Sequence, residues 1–257
     1  MCCGNGPGIM KDMSQKKQKE QSRMAQDNSR EAADSCDLTV SHVSRRYGAV
    51  QALDNVSCVI GQGQITMICG STGSGKTTLL RILAGLETQD TGEVSHLPAR
   101  RSVTFQDGRL LEKQTVLQNV MYGLDARLYP APLRRKTALE AMDLCGCPPA
   151  GQLAGTLSGG QQQRTALARA VVSAPQLLLL DESFSSLDSR SRSQLQDILL
   201  SLQSRLHMTV VFVTHDLQEA RKLGDRMILL HNGRCLCQGD MDDLLNREDV
   251  KRHFDGG

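Results

Sequence analysis

The chain has 257 residues, a formal net charge of +2 and 39% hydrophobic residues, and aromatic residues make up 3% of it. This length allows one large α/β domain, or a core with a smaller lobe, to bury a substantial interior. The near-neutral charge and the lack of tryptophan argue against nucleic acid as a partner. Protein surfaces that bind nucleic acid are usually basic, and those that bind single strands stack the bases on aromatic rings.

The N-terminal residues 1–36 are a polar mixture of Lys, Gln, Ser and Gly. This composition predicts a disordered extension, with a short solvated helix as the alternative. It lacks the apolar run of a signal peptide, and no apolar run approaches the roughly 20 residues of a membrane helix. We therefore expect a cytosolic chain that does not cross a bilayer by itself. Its cysteines, including the pairs Cys145-x-Cys147 and Cys235-x-Cys237, are expected to be free thiols.

The ordered part is predicted to begin with strands and turns. The predicted strands up to residue 105 are Asp37–Ser41, Val56–Ile60, Ile65–Cys69, Gly92–Val94 and Ser102–Phe105.

A glycine-rich segment, Gly70–Thr77, follows the third of these strands and precedes a predicted helix that reaches Ala84. It matches G-x-x-x-x-G-K-[ST], the pattern of a phosphate-binding loop, and a chance glycine-rich turn is the alternative. Glycines let the backbone N–H groups point at a polyphosphate, and the helix N-terminus adds its positive dipole end. Lys76 is predicted to reach the β- and γ-phosphates, and Thr77 to offer its hydroxyl to Mg²⁺. The predicted ATP ligands of this region are Gly70, Ser71, Thr72, Gly73, Ser74, Gly75, Lys76, Thr77 and Thr78.

The middle of the chain, from Gln106 to about Leu157, has helical spacing with Pro and Gly breaks, which predicts an inserted helical lobe. Strand and helix then alternate again. The predicted elements are strand Leu177–Leu180, helix Arg190–Leu206, strand Val210–Val213, helix Leu217–Leu223 and strand Met227–Leu230.

Two carboxylates, Asp181 and Glu182, directly follow four leucines. At the end of a strand that faces the nucleotide, Asp181 would hold the Mg²⁺ shell and Glu182 would polarise the attacking water. The plainer alternative is an acidic turn at a strand end.

A second anion-binding helix start is predicted at Leu157–Arg164, where Gly159 and Gly160 expose backbone N–H groups. One bound triphosphate requires one phosphate site, whereas the sequence predicts two. The second site is explained if each of the two binds a different nucleotide. A head-to-tail pair of identical subunits would form two such composite sites by symmetry.

With these motifs in order, residues from about 37 to 255 resemble the nucleotide-binding subunit of ATP-binding cassette (ABC) transporters. The resemblance implies an α/β fold: a P-loop NTPase (RecA-like) core with an antiparallel β subdomain and an α-helical subdomain inserted at about 107–157. The ABC ATPase domain would span 37–257. The implied activity is ATP hydrolysis coupled to transmembrane transport, with Mg²⁺ as cofactor.

The resemblance also implies a role for each motif residue. Glu182 looks like the catalytic glutamate and His215 like the switch histidine at the γ-phosphate, although a lone His after a strand is often a core residue. Tyr47 resembles the aromatic that stacks on adenine, with packing on the sheet as its alternative. The implied metal ligands are Thr77, Gln106 and Asp181. The implied ATP contacts outside the phosphate loop are Tyr47, Gln106, the signature residues Ser158, Gly159, Gly160 and Gln161, and Asp188 of the D-loop.

Finer resemblance points to the nitrate, sulfonate and taurine importers, through Phe105–Leu111, Thr115–Val120 and Leu157–Arg164. Ser183 departs from this pattern, which usually has Pro there, and Gly92–Phe105 is shorter than in many relatives. The implied partners are a second copy of the subunit, membrane permease subunits and an extracytoplasmic solute-binding protein. The implied location is the cytoplasmic face of the membrane.

Other readings of the sequence are a soluble non-transport ABC ATPase and the cassette of an exporter or of a lipoprotein-extraction system. A P-loop kinase or GTPase would leave Leu157–Gln161 without a use. Within the lobe, Leu110, Leu111, Val116 and Leu117 are candidates for the permease dock, with ordinary lobe core as their alternative.

Overall fold

A computed structural model of the chain describes residues 37–106, 108–248 and 250–251, so the predicted extension over 1–36 lies outside the described residues. Two sheets and seven α-helices are described in these ranges. The strands are β1 Leu38–Tyr47, β2 Val50–Ile60, β3 Ile65–Cys69, β4 Thr91–Ser95, β5 Arg101–Thr104, β6 Leu177–Asp181, β7 Thr209–Val213, β8 Arg226–His231 and β9 Arg234–Asp240. The helices are α1 Lys76–Ala84, α2 Val116–Met121, α3 Ala131–Leu144, α4 Gly159–Val171, α5 Ser189–Leu206, α6 Leu217–Leu223 and α7 Met241–Leu245, with a short 3₁₀ turn at Ala154–Thr156.

The larger sheet has six strands in the order β5-β6-β7-β3-β8-β9, and all neighbours are parallel except β8 and β9. Its inner strands are continuous apolar runs because both faces of a parallel sheet are covered. Alternate side chains enter two separate cores: Leu178 and Leu180 pack on one face, and Leu177 and Leu179 on the other. This sheet brings the carboxyl ends of β3, β6 and β7 to one edge.

The smaller sheet is antiparallel, with the order β2-β1-β4 and a register that runs from Leu38 opposite Ile60 to Tyr47 opposite Val50. It forms the predicted β subdomain, but its first two strands are about twice as long as predicted. Strand β9 was not predicted at all. Its residues alternate between exposed and partly buried along an edge, so the run Cys235-Leu236-Cys237 is one-sided.

The inserted lobe contains α2 and α3, and α4 begins just after it. The docking prediction is wrong for Val116 and Leu117, which are 0% and 6% exposed and lie in the hydrophobic core with Met142 of α3. A capping box at Thr115 starts α2 and turns these two side chains inward. Leu111, 45% exposed, remains at the surface. Among the described residues, no helix combines the length and the apolarity that crossing a membrane requires.

The cysteines are buried or half-buried thiols where the structure describes them. Cys58, Cys69, Cys145, Cys147 and Cys235 are free, as predicted. Burial raises the pKa of the Cys58 thiol to about 12 and that of the Cys235 thiol to about 11. Thiols with such pKa values are mostly protonated at neutral pH and react slowly.

Candidate nucleotide site

The loop between β3 and α1 is fixed by glycines at two points where its backbone touches other strands. Gly75, with φ 100°, precedes α1, and a Cβ atom there would collide with the Ala52 carbonyl oxygen of β2. A Cβ atom on Gly70, which has φ 145°, would likewise collide with the Leu230 carbonyl oxygen of β8. Any larger residue would push the loop off these strands. The sequence pattern therefore reflects real steric requirements.

Lys76 lies inside this loop and is only 5% exposed. Its Nζ donates to the carbonyl oxygens of Gly70 and Ser71, at 2.9 Å each. Burial lowers the pKa of the ammonium group, while the nearby Glu182 and Asp181 act in the opposite direction. The Ser74 hydroxyl, also buried, has no hydrogen-bond partner among the described residues. A buried cation and a spare hydroxyl in one concave loop suit the oxygens of a polyphosphate.

Thr77 and Asp181 meet next to the loop, where the Thr77 hydroxyl donates to Asp181 Oδ1 at 3.2 Å. Burial raises the pKa of the Asp181 carboxyl, and the Thr77 hydrogen bond opposes that shift. A hydroxyl and a carboxylate are the hard oxygen donors that Mg²⁺ prefers in nucleotide sites. The donor set therefore fits this metal.

Glu182 and His215 come from the ends of neighbouring parallel strands, and Nδ1 of His215 lies 3.4 Å from Oε1 of Glu182. The Glu182 N–H donates to the Val213 carbonyl at 3.1 Å, and Glu182 has φ 44°, an uncommon left-handed conformation for a non-glycine residue. The His215 side chain is 59% exposed, so it is not a core histidine. The structure thus brings together both predicted catalytic side chains.

Gln106 is exposed just after β5, and two side chains of α4 hold its loop. Gln163 Nε2 donates to the Gln106 carbonyl at 2.6 Å. Arg169 donates to the carbonyls of Gly108 and Arg109, at 2.6 and 2.9 Å. Neither supporting residue was predicted from the sequence. The spacing of Gln163 with Ala166 and Ala170 was a signal in the sequence, because it places Gln163 on an apolar helix face. In the structure Gln163 is 6% exposed.

Tyr47 ends β1 at the surface of the antiparallel sheet, with 40% of its area exposed. Its hydroxyl hydrogen-bonds to Glu87, which also pairs with Arg81 of α1 at 3.3 Å. The Arg45 guanidinium lies 5.0 Å from the ring centroid. The ring is therefore held in one orientation by α1 and by β1, and it is not buried beneath the sheet.

The predicted signature residues start α4, with Ser158 at the N-cap and its N–H donating to Gln161 Oε1 at 3.0 Å. Ser158 and Gly159 are exposed. The start of α5 lies alongside, because a Cβ atom on Gly160 would be 3.1 Å from the Ser191 hydroxyl. Asp188 caps α5 by accepting from the Ser191 N–H at 2.9 Å, and this bond lowers its pKa.

Apart from Tyr47 and Gln106, the predicted ATP ligands therefore fall into two groups. The phosphate loop, with exposed Ser71, Thr72 and Gly73 and the partly buried Thr78 of α1, adjoins Asp181 and Glu182. Within the described residues, no hydrogen bond connects the second group, Ser158 to Gln161 and Asp188, with the phosphate loop.

Comparison with known proteins identifies the class. The ABC transporter family profile matches residues 53–185. The dimeric cassette MJ0796 superimposes with a TM-score of 0.71 at 30% identity, covering 79% of this chain and 98% of that one. A TM-score of 0.75 at 26% identity relates the chain to CbiO1 of Clostridium perfringens, over 84% of this chain and 92% of that one. The chain belongs to the ABC transporter family.

Two curated relatives are import ATP-binding proteins. The aliphatic sulfonates import ATP-binding protein of Nocardia farcinica is 43% identical over 197 residues, which cover 77% of this chain and 79% of the relative. The sulfate/thiosulfate import ATP-binding protein of Chromobacterium violaceum is 42% identical over 208 residues, and the match spans 77% of this chain and 57% of the relative. The predicted family, fold class and ATP-hydrolysing cassette are confirmed.

Proposed function

We propose that this chain is the ATP-hydrolysing subunit of an ABC importer. One observation carries the proposal: a buried Lys76, the Thr77 and Asp181 pair, and Glu182 beside His215 all meet at one edge of the sheet. The two import ATP-binding proteins described above support the direction of transport.

The chain's own residues account for the hydrolytic chemistry. Lys76 and the loop N–H groups would bind the phosphates, and Tyr47 would stack on the adenine ring. Thr77, Asp181 and Gln106 would hold Mg²⁺, which neutralises phosphate charge when it is bound. Glu182 would orient the attacking water and accept its proton, and His215 would contact the γ-phosphate from the side that faces Glu182.

A second copy of the chain would complete the site. Two helix N-termini, those of α4 and α5, carry the exposed residues Ser158, Gly159 and Asp188. In the part of the chain that the structure describes, no hydrogen bond joins them to the phosphate loop of their own chain. In a head-to-tail pair these groups would face the phosphates bound by the other copy. The related cassette MJ0796 has been solved as a dimer, which supports the pairing of two copies.

The permease would bind the helical lobe. Leu111, Tyr122 and Leu128 of the lobe are 45%, 63% and 74% exposed, which is unusual for large apolar side chains so close in sequence. Leu111 thus remains a dock candidate, and Tyr122 and Leu128 replace Val116 and Leu117. An extracytoplasmic solute-binding protein would deliver the solute, and the cassette would work at the cytoplasmic face of the membrane.

Affinity purification of the chain from detergent-solubilised membranes of its native cells tests the function. We expect integral membrane proteins and an extracytoplasmic binding protein to co-purify, with ATP hydrolysis that ceases when Mg²⁺ is chelated. Replacing Tyr122 with Glu should reduce the recovery of the membrane proteins without changing ATP affinity. Recovery of ribosomal proteins alone, or of no membrane protein, would contradict the proposal.

A further inference from the structure

Two loops carry the proposed catalytic pair, and one side chain behind them holds both. The first loop runs from Glu182 to Asp188 and the second contains His215 and Asp216. In front, Glu182 and His215 approach each other to 3.4 Å. Behind, Arg192, on the first turn of α5, contacts both loops.

On the first loop, Arg192 Nη2 donates to the carbonyl oxygens of Ser185 and Leu187, at 3.2 Å each. Ser185 in turn is tied to the catalytic position, since its N–H and its hydroxyl donate to the Glu182 carbonyl at 3.2 and 2.9 Å. Ser185 thus connects the guanidinium to the backbone of Glu182.

On the second loop, Arg192 Nη1 lies 3.3 Å from Asp216 Oδ2. The other oxygen of Asp216 caps α6, where it accepts from the N–H groups of Gln218 and Glu219 at 2.8 and 3.2 Å. Asp216 directly follows His215, so a carboxylate fixed from both sides fixes the backbone that carries the histidine.

A second polar contact stands one turn further along α5 and keeps the two helices in register. Gln196, 5% exposed, donates to Glu219 Oε1 at 3.3 Å, and the Thr214 hydroxyl donates to Glu219 Oε2 at 2.7 Å. Thr214 also accepts from the Asp216 N–H at 3.0 Å. The base of the second loop is therefore buried and hydrogen-bonded, and Arg192 adds a contact from this loop to the first, besides the approach of His215 to Glu182.

We propose that Arg192 is a positioning residue for ATP hydrolysis, which holds the Glu182 loop and the His215 loop at the separation that the reaction needs. The inference rests on the proposed roles of Glu182 and His215. A planar guanidinium serves two carbonyls and one carboxylate at once, whereas the single ammonium of lysine does not reproduce that fork. Because a misplacement of about 1 Å at a reacting group costs up to roughly 10²-fold in rate, the expected defect is in turnover.

The test compares the variants Arg192→Gln, Arg192→Lys and Asp216→Asn in the full chain. Asn remains a good helix cap, so Asp216→Asn weakens the contact with Arg192 and spares α6. We expect kcat for ATP to fall roughly 10-fold or more in all three variants, with the Kd for ATP within about twofold of the parent. Arg192→Gln combined with Asp216→Asn should lose little beyond the worse single variant, because Arg192→Gln already removes the contact that Asp216→Asn weakens.

Lys222→Gln is the matched control. Lys222 of α6 pairs with Asp197 of α5 at 3.0 Å and donates to the Ser193 hydroxyl at 3.0 Å. This change therefore also removes polar contacts between the same two helices, while both loops keep their contacts with Arg192. It should leave kcat unchanged. Normal kcat in Asp216→Asn, an equal loss in Lys222→Gln, or losses that multiply in the double variant would overturn the proposal. Glu182→Gln is assayed in parallel: if it keeps full turnover, the proposed function itself fails, independently of Arg192.

Discussion

The phosphate loop and the start of α4 are both built to face anions, yet they differ in how much of a site one chain completes. Around the loop, Lys76 is buried, Thr77 bonds to Asp181, and glycines seat the backbone on neighbouring strands. At the start of α4, Ser158 and Gly159 are exposed, and the hydrogen bonds that Ser158 makes with described residues lie within its own helix turn. The first region should bind ATP as a monomer, and the second should act only across an interface.

The largest effect is expected from Glu182→Gln, which removes the proposed catalytic base beside the phosphate loop. Glutamine keeps the size of the side chain and removes the base, so turnover should fall roughly 10²- to 10⁴-fold. Steady-state phosphate release measures this, and calorimetry should show unchanged ATP affinity. Turnover near the parent value would remove Glu182 from the mechanism.

Lys76→Ala should weaken the same region at the level of binding. A charge-assisted hydrogen bond contributes about 1.5 to 3 kcal/mol, which corresponds to roughly a 10- to 150-fold higher Kd for ATP. Calorimetric titration with ATP is the measurement. Undiminished affinity would show that the buried ammonium does not face the phosphates.

Asp181→Asn should show a smaller change that depends on the metal. The carboxylate is expected to hold Mg²⁺ with Thr77, so its loss should raise the Mg²⁺ concentration for half-maximal turnover about 10-fold. Titration of Mg²⁺ at saturating ATP tests this. An unchanged Mg²⁺ requirement would place the metal elsewhere.

Ser158→Arg should have the smallest effect on ATP binding by the monomer. It therefore tests the difference between the start of α4 and the phosphate loop. Among the described residues, Ser158 makes no hydrogen bond to the phosphate loop of its own chain, so the Kd for ATP of the dilute monomer should stay within about twofold of the parent. A large loss of affinity in the monomer would mean that both regions serve one nucleotide within one chain.

The sequence predicted most of the core and both anion-binding regions because their requirements are local. Short continuous apolar runs such as Leu177–Leu180 are typical of strands in a parallel sheet that is covered on both faces. The glycines of the phosphate loop are required by its backbone conformation. Strand β9 was missed because an edge strand is apolar on one side alone and so lacks a continuous apolar run.

The burial of Val116 and the position of Arg192 depend instead on contacts between elements far apart in the chain. A short helix such as α2 offers too few residues to reveal which face is covered. The link between Arg192 and Asp216 joins residues whose proximity only the packing of α5 against α6 creates.

The most direct test of the shared site is the mass of the Glu182→Gln variant, measured by light scattering with and without Mg-ATP. If the start of α4 completes the site of a second copy, this stalled variant should form a dimer with Mg-ATP and remain a monomer without nucleotide. Adding Ser158→Arg should abolish the dimer, because a bulky side chain blocks the approach of α4 to the phosphates. A dimer that persists with Arg at position 158, or that forms equally well without nucleotide, would contradict the account.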